Sequence, residues 1–134
     1  MKHIDNIFDM LDWNKSLEEQ ARGIELAKSI DDIACFLQPT GNGYNKNVWD
    51  NCAIIVSQKD DATLSKYLIY MLEWLQDMNW PGAQCIYDRL HSYSDVQSLG
   101  CALNECISKA KETVDEEWLD NLERFCREIN IGID

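Results

Sequence analysis

The sequence predicts an all-α protein of six or seven helices, stacked as antiparallel helical hairpins in a short α-solenoid. Three observations carry that expectation. Apolar residues recur at helical spacing along almost the whole chain, and no segment sustains the two-residue alternation of a strand. Only two prolines, Pro39 and Pro81, interrupt the 134 residues, so long windows remain open to helix. The connections are mostly short, which favours antiparallel neighbours. A compact bundle fits the same pattern, but the tight turn at 78–81 and the regular long segments favour stacked hairpins. The length suits one domain over residues 1–134, and a hydrophobic content of 46% supports a real core.

Residues 3–13 place Ile4, Ile7, Phe8 and Leu11 on one side of a short helix that stops at Asp12-Trp13-Asn14. Ser16 and Glu19 have capping-box spacing, and the helix that follows puts Leu17, Ala21 and Ile24 on one face. Ser29 or Asp31 restarts the chain, with Ile33, Phe36 and Leu37 as a further apolar turn. Pro39-Thr40-Gly41-Asn42-Gly43 is the strongest loop signal, so helix should end before Pro39 and resume near residues 45–47. Val48, Trp49, Cys52, Ile55 and Val56 share a face, while Ile54 points away, implying contacts on more than one side.

The next break is at Lys59-Asp60-Asp61, where one of the two aspartates reads as an N-cap. Beyond it, Leu64, Leu68, Met71, Leu75 and Met78 form one stripe, widened by Tyr67, Leu72 and Trp74. A helix over residues 60–77 would run about 27 Å and form the centre of the fold. Pro81 suits the first turn of the next helix, with Ala83, Ile86, Tyr87 and Leu90 inward. Ser94 and Gln97 resemble a second capping box. Val96, Leu99, Gly100, Leu103, Cys106, Ile107, Ala110 and Val114 then make an apolar stripe, with Glu105 and Lys109 paired on the opposite side. Asp115 caps a last helix facing inward through Trp118, Leu119, Leu122, Phe125, Cys126 and Ile129, and Gly132 is a plausible stop.

A net charge of −12, from 24 acids and 12 bases, argues against nucleic acid and anionic membrane as partners. A basic protein suits it. The N-terminal stretch has no apolar run of signal-peptide length, and no window approaches a membrane span, so the expected location is cytoplasmic. The six cysteines form no C-x-x-C pair and read as free thiols.

Few residues could carry chemistry. Asp77, on the side opposite the apolar stripe and near Glu73 and Tyr70, could fold over the turn toward the N–H groups near Pro81. Asn79 tolerates the left-handed conformation that ends helices, and Pro81 pushes Trp80 toward extended backbone. Asp77, Asn79, Trp80 and Pro81 therefore read first as a helix–turn–helix corner, and second as a contact site. Trp49, Trp74 and Trp118 belong to apolar faces, whereas Trp13 and Trp80 lie at helix ends, where an interface role is more open. Glu112, Asp115, Glu116, Glu117, Asp120 and Glu123 form the densest charge feature, with Glu123–Arg127 and Asp120–Arg124 at pairing distance in sequence. It reads either as a solvated helix face or as a docking surface for a basic partner. Asp88 and His91 have the spacing of half a di-metal motif, yet only His3 could add a second imidazole, so no metal and no cofactor are expected. Cys85 and Cys101 fall off the apolar faces and are the candidate reactive thiols. No nucleophile–base grouping stands out.

Trp74-Leu75-Gln76-Asp77-Met78-Asn79-Trp80-Pro81-Gly82 resembles the signature of a small bacterial family of unknown function. Asp12-Trp13-Asn14 and Asn47-Val48-Trp49-Asp50-Asn51-Cys52-Ala53 also resemble it, so the likeness covers most of residues 10–91 and leaves a generic helical pair beyond Ser94. The resemblance implies HEAT-like stacked helices and brings no settled activity. Small acidic helical proteins of this kind are similar to immunity proteins, which bind and neutralise a toxin. The expected function is thus a non-enzymatic protein-binding module of immunity type, with a basic toxin domain as partner. An adaptor holding a peptide in a groove is the second reading, and an enzyme using Asp77 or Glu73 the third.

Overall fold

The computed structural model describes residues 2–39 and 45–130, the first two of them as backbone only. Among these residues the chain is helical without strands. Its eight α-helices are α1 (Lys2–Leu11), α2 (Leu17–Ala27), α3 (Trp49–Ser57), α4 (Asp61–Leu64), α5 (Leu68–Glu73), α6 (Ala83–His91), α7 (Val96–Glu112) and α8 (Glu116–Glu128). Three 3-10 turns, at Ile33–Phe36, Lys46–Val48 and Trp74–Gln76, join them. In space α1 packs on α2, α3 on α6, α5 on α7, and α7 on α8. Buried side chains from Ile7 to Cys126 form one connected core.

The count exceeds the expected six or seven because the segment over 60–77 is not one helix. The Ser65 hydroxyl donates to the Ala62 carbonyl, 2.9 Å away, and Tyr67 leaves helical geometry at φ −119°. A hydroxyl that bonds back to the preceding turn competes with the helical ladder. The chain restarts as α5 and tightens into the 3-10 turn at Trp74–Gln76. Through both irregularities Leu64, Leu68, Met71 and Leu75 stay buried. The stripe thus reports burial correctly even where the hydrogen-bond ladder breaks.

Other faces, caps and pairs also differ from expectation. On α2, Leu17 and Ala21 are exposed, and Gly23 and Ala27 are buried instead. Gly23 lets α1 approach closely: a Cβ there would lie 2.8 Å from the Met10 Cβ and 3.0 Å from a Leu11 methyl. On α7 the cap is Asp95, which accepts the Ser98 N–H, because the Ser94 hydroxyl and N–H are both committed to the Asp61 carboxylate. Val96 and Val114, placed in the α7 stripe by periodicity, stand exposed at its two ends. The Glu105–Lys109 pair is replaced by a longer-range one, since the Lys109 ammonium sits 3.0 Å from Glu73. The turn expected at Ser29 or Asp31 is capped by Asp32. Apart from Pro39, the loop at 39–43 lies outside the described residues, as does Gly132.

Arg89 on α6 ties three elements together. Its guanidinium donates to the carbonyls of Ser57 and Lys59 at the end of α3, to the Ser92 hydroxyl, and at 2.6 Å to the Asp61 carboxylate at the start of α4. Hydrogen bonds from Ser94, together with Arg89, hold the Asp61 carboxyl down at about 2, against an ordinary 3.8. A carboxyl with a depressed folded value stabilises the fold fully above the unfolded value, and that contribution is lost as pH falls from about 4 toward 2. Thermal melts over this range should fall more steeply for the native protein than for Asp61→Asn. Arg89→Met should cost roughly 2 kcal/mol, because two carbonyls at the α3 end lose their donors.

Candidate functional site

The corner between α5 and α6 is built from its own side chains and backbone. The fully buried Trp74 indole donates to the Pro81 carbonyl at 3.0 Å, bridging the turn from its first residue to its last. Asp77 is extended, at φ −144° and ψ 107°, and its carboxylate accepts the Asn79 N–H at 2.8 Å. The Trp80 N–H donates to the Asp77 carbonyl. This is an Asx-type turn, in which a short acidic side chain closes the backbone on itself. Two details differ from the sequence reading. Asn79 is not left-handed; that role falls to Gly82, at φ +86°. Pro81 precedes the helix, which begins at Ala83 with Gly82 as its cap.

Gly82 lies against α3. A Cβ there would sit 2.7 Å from the Ala53 Cβ, 2.9 Å from the Trp49 carbonyl and 2.9 Å from the Trp74 ring. Trp49 packs edge-on to both Trp74 and Trp80, with ring centroids 6.3 and 5.6 Å apart. Trp80 is therefore partly buried against the core, while Trp13 is 46% exposed.

On the far side of the corner lies α8. The Trp118 indole donates to the Leu72 carbonyl and the Asn121 amide to the Leu75 carbonyl. These two bonds fix the rotation of α8, and so decide which residues it turns outward. On α8, Glu116, Glu117 and Asp120 are exposed and Glu123 is half-buried; before it, Glu112 at the end of α7 is exposed and Asp115 half-buried. The Asp115 carboxylate caps α8 by accepting the Trp118 N–H at 3.1 Å. The Asp120–Arg124 and Glu123–Arg127 pairs do not form. Arg124 turns instead to Tyr87, donating to its hydroxyl and lying 4.8 Å over its ring. A cation on an aromatic face, held by a hydrogen bond, outcompetes an exposed pair.

The remaining candidates separate. Glu73 is taken up by Lys109, and Asp77 by its own turn, so each carboxylate has a separate structural partner. Asp88 accepts the Gln84 amide, whereas the His91 ring nitrogens face the Tyr87 carbonyl and Glu128 at 2.8 and 2.9 Å. The His3 side chain lies outside the described residues, among which no group of histidines, cysteines and acids is placed to hold a metal. All six cysteines are free. Burial pushes the Cys85 thiol up, and its sulfur lies 3.6 Å from the Ser57 hydroxyl, so it is not the reactive thiol its sequence position suggests. Burial also raises Cys106, to about 12, while Cys101 is exposed. No helix among the described residues is long and apolar enough to cross a membrane.

Arg89 and Asn121 escaped the sequence reading, and periodicity places Val114 in the core stripe. The first two look like ordinary polar residues on amphipathic helices, and only the tertiary fold shows the carbonyls they reach. Val114 reads as a core valine until its backbone angle is known.

A family model described as a domain of unknown function (DUF5071) matches residues 45–130, more than half of the chain, which therefore belongs to that family. The matched span takes in the corner, α7 and α8, and leaves out Asp12-Trp13-Asn14. Family likeness thus extends past Ser94, beyond the stretch that the motif suggests. No curated protein and no solved structure matches the chain.

Gly82→Ala should lose roughly 3 kcal/mol in chemical denaturation, from a left-handed Cβ combined with overpacking against α3. Asp77→Ala should lose about 1 kcal/mol, the scale of one local capping bond.

Proposed function

We propose that this member of the family acts without catalysis, as a protein-binding module that docks a basic partner on the acidic face from Glu112 to Glu123. In its most specific form the partner is a bacterial toxin domain, neutralised in the cytoplasm by a HEAT-like stack of helices. The observation that supports this reading is the state of that face. Glu112, Glu116, Glu117 and Asp120 are exposed and form no ion pair among the described residues, on a chain of net charge −12. Clustered like charge raises the electrostatic cost of the compact state and accelerates encounter with a cationic surface. Helix α8, which carries Glu116, Glu117 and Asp120, is clamped beneath by Trp118 and Asn121, so these charges are presented on a fixed element, with Glu112 at the end of α7.

A second reading, an adaptor that holds a peptide, draws on the trough between α5 and α7. Leu68, Ile69, Ala102 and Cys106 line two adjoining cavities of about 210 and 260 Å³ there. Catalysis through Glu73 or Asp77 draws no such support, since the two carboxylates serve a salt bridge and a turn.

The readings separate by salt. Tagged protein purified from its host at low ionic strength should retain a basic protein that halts growth when expressed alone and is tolerated when this chain is co-expressed. Its affinity should fall at least tenfold between about 0.05 and 0.5 M salt, as screening shortens the reach of charge. It should also fall at least tenfold in the Glu112→Lys, Glu116→Lys, Glu117→Lys, Asp120→Lys variant. A retained partner indifferent to both changes would favour the α5–α7 trough and defeat the acidic-face reading.

A further inference from the structure

We propose that the notch beside Val114, where α7 ends and α8 begins, receives an apolar side chain of a cationic protein partner, with the partner's flanking lysines or arginines seated on the acidic rim. This rests on the acidic-face reading and assigns that face its anchor point. Val114 is 76% exposed and sits at φ +54°. The only other non-glycine residue at positive φ among those described is Asn130, an amino acid that tolerates the left-handed region. A β-branched residue does not.

The backbone conformation itself is well explained. The Val114 N–H donates to the Lys111 carbonyl and the Asp115 N–H to the Ala110 carbonyl at 2.8 Å, a helix-ending pattern that glycine satisfies without strain. Those bonds account for the turn but not for the valine, whose side chain contributes nothing to the core. A side chain ill-suited to the backbone geometry of its turn, and not needed by the core, is a pointer to use.

What surrounds Val114 specifies the occupant. A notch of about 200 Å³ is lined by Ala110, Lys111, Val114, Asp115, Glu116 and Leu119, with Ala110, Val114 and Leu119 as its apolar part. Glu112 and Glu117 stand beside it in sequence, both exposed, and Lys111 is the one cation of the lining. A second copy of this chain would bring the same −12 charge, and an anionic membrane would be repelled likewise. An apolar side chain flanked by cations satisfies both the floor and the rim. A small apolar centre ringed by polar groups is also how binding energy concentrates at protein interfaces.

The test uses the full chain and two dye-labelled lysine–alanine peptides, identical except for a central leucine or serine, followed by fluorescence anisotropy at low salt. The leucine peptide should bind the native protein about tenfold more tightly, the scale of burying one aliphatic side chain. Val114→Gly should bring the two peptides within about twofold while melting at a higher temperature than the native protein, because it removes the strain. Val114→Asn, which also tolerates the left-handed region, should repeat the loss of preference. Glu117→Lys/Asp120→Lys should weaken both peptides alike. Equal binding of the two peptides to the native protein, weakened by Glu117→Lys/Asp120→Lys, would leave the acidic face standing and overturn the notch. A leucine preference that survives Val114→Gly would overturn it as well. If neither peptide binds, both the notch and the acidic face fall.

Discussion

The seating of Gly82 on α3 is the constraint on which the rest of the structure depends. Its backbone lies so close to Trp49, Ala53 and Trp74 that no other side chain fits, and its positive φ excludes other residues a second time. From that point α6 leaves along α3 and brings Arg89 to the carbonyls at the α3 end. On the other side, the 3-10 turn that enters the corner offers the Leu75 carbonyl to Asn121, and α5 offers that of Leu72 to Trp118. A displacement at Gly82 would therefore propagate both to the Arg89 tie and to the rotation of α8.

A common device recurs at the helix ends. The last carbonyls of a helix have no partner within it and cost free energy if buried unbonded. Here they are met by side chains from later in the chain. The Asn51 amide donates to Leu11 at the end of α1, and the Lys59 ammonium to Ala27, Lys28 and Ile30 at the end of α2. Arg89 closes α3, and Trp118 and Asn121 close α5 and the turn after it. Donor and acceptor are between 29 and 46 residues apart in these bonds, so each helix end is complete only when a later element has docked. Among the described residues no buried side-chain polar atom is left without a partner. Shared closure of this kind couples the helices into one cooperative unit, beyond what their apolar faces supply.

The same device explains what the sequence could and could not disclose. Apolar periodicity identified the buried faces of α1, α3, α6 and α8, because burial of Ile7, Cys52, Ile86 or Phe125 depends on spacing alone. Local capping was legible at Ser16 and Asp115, and at the Asp60-Asp61 pair, of which Asp60 is the cap; the partners lie within three residues. Ser94 was misread because Asp61, thirty-three residues away, competes for its donors. The interruption at Ser65–Tyr67 was invisible, since bending the chain there leaves the Leu64–Leu75 stripe intact. Of the candidate surface, the charges could be counted from sequence. Their presentation could not, because it depends on which way Trp118 and Asn121 rotate α8.

Among the described residues the fold partners its buried side-chain polar atoms, and its densest run of unpaired acids lies where α7 meets α8. Lys59 and Arg89 are drawn to carbonyls at helix ends, while the exposed Lys109 and Arg124 are held by Glu73 and by Tyr87, so none of the four is paired with the outer acids. The uncompensated charge of Glu112, Glu116, Glu117 and Asp120 is in that sense a consequence of how the core is tied. Releasing Lys59 or Arg89 to the surface would open the end of α2 or α3. Closure of the helix ends thus withdraws Lys59 and Arg89 from the charge balance of the surface. A chain with only 12 lysines and arginines against 24 acids has little freedom to serve both. Val114 adds a strained, exposed methyl pair at the edge of that charged region, where the ordinary helix-ending residue would relieve the backbone. Backbone strain at Val114 and the acids of Glu112–Asp120 thus meet at one junction, which is why that junction carries the proposed contact.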